Sequence, residues 1–190
     1  MLHYNFIGKG IDGSVFKITD NNKVYVFKAS NKKRQIEYEE YIHFDIYNKV
    51  NCKKYIVKPI ELSKTKKTEI LKTLKYKYGY AMEYIEGITL YDAVNMITDT
   101  NSHHYNIIRK QLIESFTCLW KNGFIHGDSH MKNVVVYLSK RSLYPKIKII
   151  DFGFSMSFSS PTKLRTKNDL LMWFKQRWPV ILKHKRIKRG

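Results

Sequence analysis

Between Tyr4 and Lys28 the chain alternates short apolar and polar runs, broken first by Gly8, Gly10 and Gly13 and then by Asp20-Asn21-Asn22. Short runs closed by glycine or by Asp/Asn clusters are the pattern of a meander, so three strands are predicted. From about Lys32 to Asn48 glycine and proline are absent. There Ile36, Ile42 and Ile46 recur at spacings that suit one helical face, with Glu39 and Glu40 among them. Further strands are predicted at Ile56 to Leu62 and at Tyr78 to Tyr84, bridged by a lysine-rich loop. The expectation for this part is a five-stranded antiparallel sheet with one helix.

Glu86-Gly87 breaks that pattern, and Thr89 followed by Asp92 has the form of a capping box for a short helix reaching about Ile97. Ile108, Leu112, Phe116, Leu119 and Trp120 fall at helical spacing, which predicts a helix from Tyr105 to Asn122 stopped by Gly123. Val134–Leu138 and Lys146–Ile150 read as a hairpin around a loop from Ser139 to Pro145. A last helix is predicted from about Lys167 to Trp178, turning Leu170, Leu171, Phe174 and Trp178 inward. The class is α+β, with the second part small and mostly helical, and Gly87 marks the boundary between the two parts.

Composition narrows this reading. With 190 residues, 43% of them hydrophobic, the chain has enough bulk for one packed domain or two small units sharing a cleft, which excludes a disordered protein. No apolar run approaches bilayer-spanning length and no charged-then-apolar leader is present, so no transmembrane segment is expected. Cys52 and Cys118 lie far apart and resemble neither a disulfide framework nor a thiol metal site, which leads to the expectation of a reducing compartment, the cytoplasm. The formal charge of +19 would attract an acidic protein or a nucleic acid, chiefly through Lys49 to Lys77 and the tail Lys183 to Arg189. Against this, abundant Lys, Asn, Ile and Tyr is also what an A+T-rich genome encodes, and a charge run is then a solvated face. Were that genome viral or parasitic, the compartment would be a host cytoplasm and the partner a host protein. No heptad pattern specifies an oligomer, so the oligomeric state is left open.

Candidate chemistry sharpens the picture further. His126-Gly127-Asp128-Ser129-His130-Met131-Lys132-Asn133 sets an aspartate five residues before an asparagine, on a loop between a helix and an apolar strand. Ile150-Asp151-Phe152-Gly153 supplies a second aspartate. Two carboxylates and an amide so disposed can hold a divalent cation and orient a hydroxyl. Gly8, Gly10 and Gly13, with Val15 beyond them, would let backbone amides approach phosphates, and Lys28, one strand further on, could reach the same group. A cleft lysine needs a carboxylate. Glu39, one turn from Ile42, is preferred, Glu40 remains the alternative, and Glu37 is rotated away.

In order and type, these strings resemble the glycine-rich loop, strand lysine, catalytic loop and Asp-Phe-Gly motif of protein kinases and their relatives. The segment Tyr80 to Gly87 resembles the kinase hinge. The resemblance covers roughly residues 4 to 155 well, and it implies a bilobal protein-kinase-like fold with an N-lobe over 1–86 and a reduced C-lobe over 87–190. It also implies ATP and Mg2+. Asp128 would orient or deprotonate the acceptor hydroxyl, Lys28 would bind phosphates, and Asn133 and Asp151 would ligate the metal. Met82 would be the gatekeeper, with the backbones of Glu83 and Ile85 on the base. The acceptor would be a serine or threonine hydroxyl of a protein. His126 is expected to pack near Phe152 rather than act as a base.

The chain departs from that family at several places. Gly127 stands where regulated protein kinases carry arginine, so no cation is expected to meet a phosphate on the Ser155 to Thr166 segment. His130 occupies the place of a phosphate-contacting lysine, as in small-molecule kinases of the aminoglycoside and choline type, and Lys132 is a nearby substitute. No Ala-Pro-Glu string follows, which gives the chain the economy of a minimal kinase. Asp169 resembles the aspartate that anchors the catalytic loop, or else is an exposed helix-terminal carboxylate. An ATPase-like subunit of a nucleic-acid complex and a small-molecule kinase are the rival readings.

Overall fold

The structure, a computed structural model, describes residues 2–96, 103–139 and 143–158. The predicted last helix with Asp169, the end of the helix running to Ile97 and the basic tail lie outside the described residues.

Strands β1 (Leu2–Lys9), β2 (Ser14–Asp20) and β3 (Lys23–Ser30) form the meander, with Asn21 and Asn22 taking positive φ at the second turn. Strands β4 (Pro59–Ile60) and β5 (Tyr78–Glu83) complete an antiparallel sheet in the order β1-β2-β3-β5-β4. The run Tyr25 to Ala29 in β3 is almost wholly buried because both faces of the sheet are covered. Tyr25, Phe27 and Ala29 join Phe16 and Ile18 in a core on one face, while Val26 packs into a larger core on the other. That larger core takes in Ile36, Ile42 and Ile46 of helix α1 (Lys33–Lys49).

The lysine-rich segment between β4 and β5 corrects the expectation of a loop and of a single helix beside the sheet. It forms α2 (Lys64–Leu74), capped by the Ser63 hydroxyl, which accepts from the backbone N–H of Lys66. Ile70 and Leu74, four apart, bury against Phe16, Phe27 and Ala81, and this apolar contact outweighs the charge of the helix's other face. The strand expected over Ile56 to Leu62 shrinks to Pro59–Ile60, since Ile56 and Val57 pair with Ile149 instead of joining the sheet.

In the second part, β6 (Ile88–Thr89), β8 (Val134–Leu138) and β9 (Pro145–Ile149) make a three-stranded sheet. Helix α3 (Leu90–Met96) begins with the backbone N–H of Asp92 donating to the Thr89 hydroxyl. Helix α4 (His103–Lys121) buries Ile108, Leu112, Phe116 and Leu119 on one stripe and ends before Gly123, whose φ is +82°. Strands β7 (Phe124–Ile125) and β10 (Met156–Ser157) pair on either side of the loops that carry the candidate chemistry.

Among the contacts that bind the two parts, three stand out. The N–H of Val57 donates to the Ile149 carbonyl at 3.1 Å. The buried Lys148 ammonium reaches the Ile56 carbonyl at 2.8 Å and the Glu83 carboxylate at 2.7 Å. Cys52, just past α1, and Cys118, on α4, form a disulfide, which corrects the expectation of two unrelated thiols. Their sequence distance concealed this, because folding brings the end of α1 onto α4. Among the described residues, no helix is long and apolar enough to cross a membrane.

Candidate active site

Register places the first group. Lys28 on β3 stands directly opposite Tyr80 on β5, so both side chains leave the same face of the sheet, toward α1. Glu39, fixed on α1 by the burial of Ile36 and Ile42, meets them there. The Lys28 ammonium donates to Glu39 Oε1 at 2.7 Å and to Asp151 Oδ1 at 3.0 Å. Tyr80 donates its hydroxyl to the same Glu39 oxygen at 3.0 Å. Glu40 instead takes Lys67 of α2 at 2.8 Å. Burial alone would lower the Lys28 pKa, yet the carboxylates of Glu39 and Asp151 hold it above the ordinary lysine value. Burial pushes Glu39 up, against the pull of Lys28. For Asp151 burial acts upward too, but the Lys28 charge and hydrogen bond, with the Gly153 N–H, hold it below the usual carboxylate range.

The loop between β7 and β8 supplies the second group. Gly127 has φ +76° and presses on the segment after Asp151 so closely that a Cβ there would sit 2.0 Å from the Phe154 carbonyl oxygen. Only glycine fits both the left-handed backbone and the close approach, which is why no arginine stands there. The Asn133 amide nitrogen donates to the Asp128 carbonyl at 2.9 Å and to its carboxylate at 3.0 Å, closing the loop on itself. His130 Nε2 lies 3.3 Å from Asp128 Oδ2, and its Nδ1 accepts the Lys132 N–H. The Lys132 ammonium lies over the Tyr91 ring, 5.3 Å from its centroid.

Behind the loop, Phe152 is fully buried between two imidazoles. His43 of α1 stacks on it at 4.6 Å and His126 packs at 5.1 Å. His126 is held by the Ile150 carbonyl at 3.0 Å and His43 by the Val57 carbonyl at 2.7 Å. Burial lowers both histidine pKa values, that of His43 to about 4, so both rings are neutral at pH 7.

These groups open onto one cleft of about 680 Å³. Gly8, Gly10 and Val15 form its roof and Met82, Glu83 and Ile85 its back edge. Lys28, Glu39 and Asp151 stand on one side, with Asp128, His130 and Asn133 on the floor. Gly13 differs from expectation. It packs on β3, where a Cβ would meet the Ala29 carbonyl oxygen at 2.5 Å, and it does not line the cleft.

The donor set fits a hard divalent cation. Asn133 points its amide nitrogen at Asp128, which leaves the amide oxygen on the other side, and Asp151 offers carboxylate oxygen with φ +62°, a backbone state aspartate tolerates better than most residues. Among the described residues no three His, Cys, Asp or Glu side chains cluster as a protein-only metal cage. A cation sharing one carboxylate and one amide with phosphate oxygens matches that arrangement.

Sequence reading missed three buried polar side chains that organise the site. Tyr80 reads as strand filler, and its only signal is its place two residues before Met82. His43 lies one turn beyond Glu39 on the apolar face of α1. Lys148 is signalled by a lysine inside the apolar run Ile147 to Ile150.

Comparison with known proteins adds an independent line. A family profile described as the protein kinase domain matches residues 2–186. A serine/threonine-protein kinase of Drosophila melanogaster is 29% identical over 72 residues, 38% of this chain and 10% of that protein. Another, of Drosophila persimilis, is 26% identical over 80 residues, 42% of this chain and 11% of that protein. The matched segment thus spans about a tenth of the length of these curated relatives.

Proposed function

This chain belongs to the protein kinase family, and on that premise we propose that it moves the terminal phosphoryl group of ATP to a serine or threonine hydroxyl of a protein. The observation that carries the reading is the meeting of Lys28, Asp128, Asn133 and Asp151 on one cleft. Residues 1–86 act as the nucleotide-gripping lobe and 87–190 as a reduced lobe for catalysis. The roof glycines admit phosphate oxygens to backbone amides, and the backbones of Glu83 and Ile85 take the adenine edge. Lys28, steadied by Glu39, neutralises phosphate charge that builds in the transition state. Asp128 orients the acceptor hydroxyl and receives its proton as the new phosphorus–oxygen bond forms and the old bridge to the β-phosphate breaks. Asn133 and Asp151 would hold Mg2+, which supplies charge neutralisation at the phosphates when bound.

The chain's +19 charge supports an acidic protein as partner, while the Cys52–Cys118 bond removes the thiol argument for a reducing cytoplasm. A second reading, transfer to a small-molecule alcohol, is favoured by His130 beside Asp128. The test incubates the purified chain with γ-labelled ATP and Mg2+ and a panel of acidic proteins, small alcohols and RNA. Protein labelling that Asp128→Ala abolishes is the expected result. Labelled alcohols would move the assignment to the second reading, and release of free phosphate with no labelled acceptor would overturn both.

A further inference from the structure

We propose that Tyr80 is a positioning residue for phosphoryl transfer, acting through Glu39. The inference rests on the kinase reading above and goes beyond it to a side chain that the recognised motifs do not use. A tyrosine hydroxyl buried in a core requires a partner. Here the partner is Glu39 Oε1, the same oxygen that receives the Lys28 ammonium. Because Lys28 and Tyr80 are direct cross-strand partners, one pairing of β3 with β5 aims both donors at one acceptor.

Lys28 has two carboxylates to choose between, at 2.7 Å for Glu39 and 3.0 Å for Asp151. The Tyr80 hydroxyl pins the Glu39 carboxylate at the near side. Glu39 Oε2 then faces Gly153, where a Cβ would meet it at 3.2 Å. Without the hydroxyl, a carboxylate that is almost fully buried loses one of its two donors, and its hold on Lys28 slackens. The lysine is then free to settle on Asp151, where it competes with the cation that residue would carry. The tyrosine ring adds a second constraint, standing edge-on to His43 at 5.7 Å, and His43 stacks on Phe152.

The test is a double-mutant cycle in kcat and in KM for ATP, using Tyr80→Phe, Glu39→Gln and the pair, assayed well below each variant's Tm. Phenylalanine keeps the ring and removes one hydrogen bond to a charged group, so kcat should fall roughly tenfold or more, with KM for ATP within about twofold. In the Glu39→Gln background the second substitution should have almost no further effect on kcat, the signature of action through Glu39. A merely structural tyrosine would lower Tm and leave kcat unchanged, or would add its full loss to that of Glu39→Gln; either result overturns the proposal. A wild-type chain that transfers no phosphate would defeat the kinase reading and this inference with it. Transfer by the wild type with an unaffected Tyr80→Phe variant would defeat this inference alone.

Discussion

Gly127 and Phe154 are locked backbone to backbone, with room for no Cβ between them. Gly127→Ala should therefore force apart the loop bearing Asp128 and the segment following Asp151. A loss on the order of 3 kcal/mol is expected from the clash and the left-handed backbone together, read as a lower denaturant midpoint with turnover falling in parallel. Since no arginine can occupy that position, phosphatase treatment of the purified chain should leave turnover unchanged within about twofold. A change by orders of magnitude would show another cation serving the loop.

Glu39 and Glu40 are adjacent in sequence and opposite in consequence. Glu39→Gln weakens the hold on Lys28 and should cost roughly tenfold or more in kcat. Glu40→Gln removes a half-exposed pair with Lys67, worth about 1 kcal/mol or less of stability, and should leave kcat within about twofold. Steady-state kinetics on the two variants checks the contrast, and equal losses would reject it.

The Cys52–Cys118 bond closes a separation of 66 residues. In the chain-entropy account a loop of that size stabilises by about 4 kcal/mol. Guanidinium unfolding with and without dithiothreitol should show a large drop in midpoint for the wild type and none for Cys118→Ser. Coincident curves for the wild type would mean that the two sulfurs do not pair in solution.

His43 makes stability depend on acid. Its pKa is near 6.5 when unfolded and about 4 when folded, burial being the main cause. Between those values the unfolded chain binds the extra proton, so stability is full above pH 6.5 and is lost as pH falls to 4. The loss from this residue is about 3 kcal/mol, and His126 adds in the same direction. Urea titrations at stepped pH should show His43→Leu with a flatter acid limb. A slope equal to that of the wild type would contradict the role given to the ring.

Much of this is legible in the sequence. The meander, α1, α4 and the β8–β9 hairpin announce themselves through period and turn chemistry, and the two aspartates, Asn133 and Lys28 through motif spacing. What escaped was long-range in kind. Helix α2 hid because five charged residues mask the apolar pair Ile70 and Leu74 unless a sheet is there to receive it. Cys52 meets Cys118, and Lys148 meets Glu83, only after the two parts dock. The choice between Glu39 and Glu40 could be ranked from helical phase, but Lys67, the rival cation that takes Glu40, sits on the helix that went unseen.

The pairing of β3 with β5 has one last implication. If β3 slipped by a single residue against β5, Lys28 would swing over to the α2 side and a neighbour such as Phe27 would face the cleft, while Tyr80 kept its place. Fidelity in the cleft is thus inherited from the sheet's zipper. The greasy seal beneath α2, far from any reacting atom, guards the alignment of the cleft's cation.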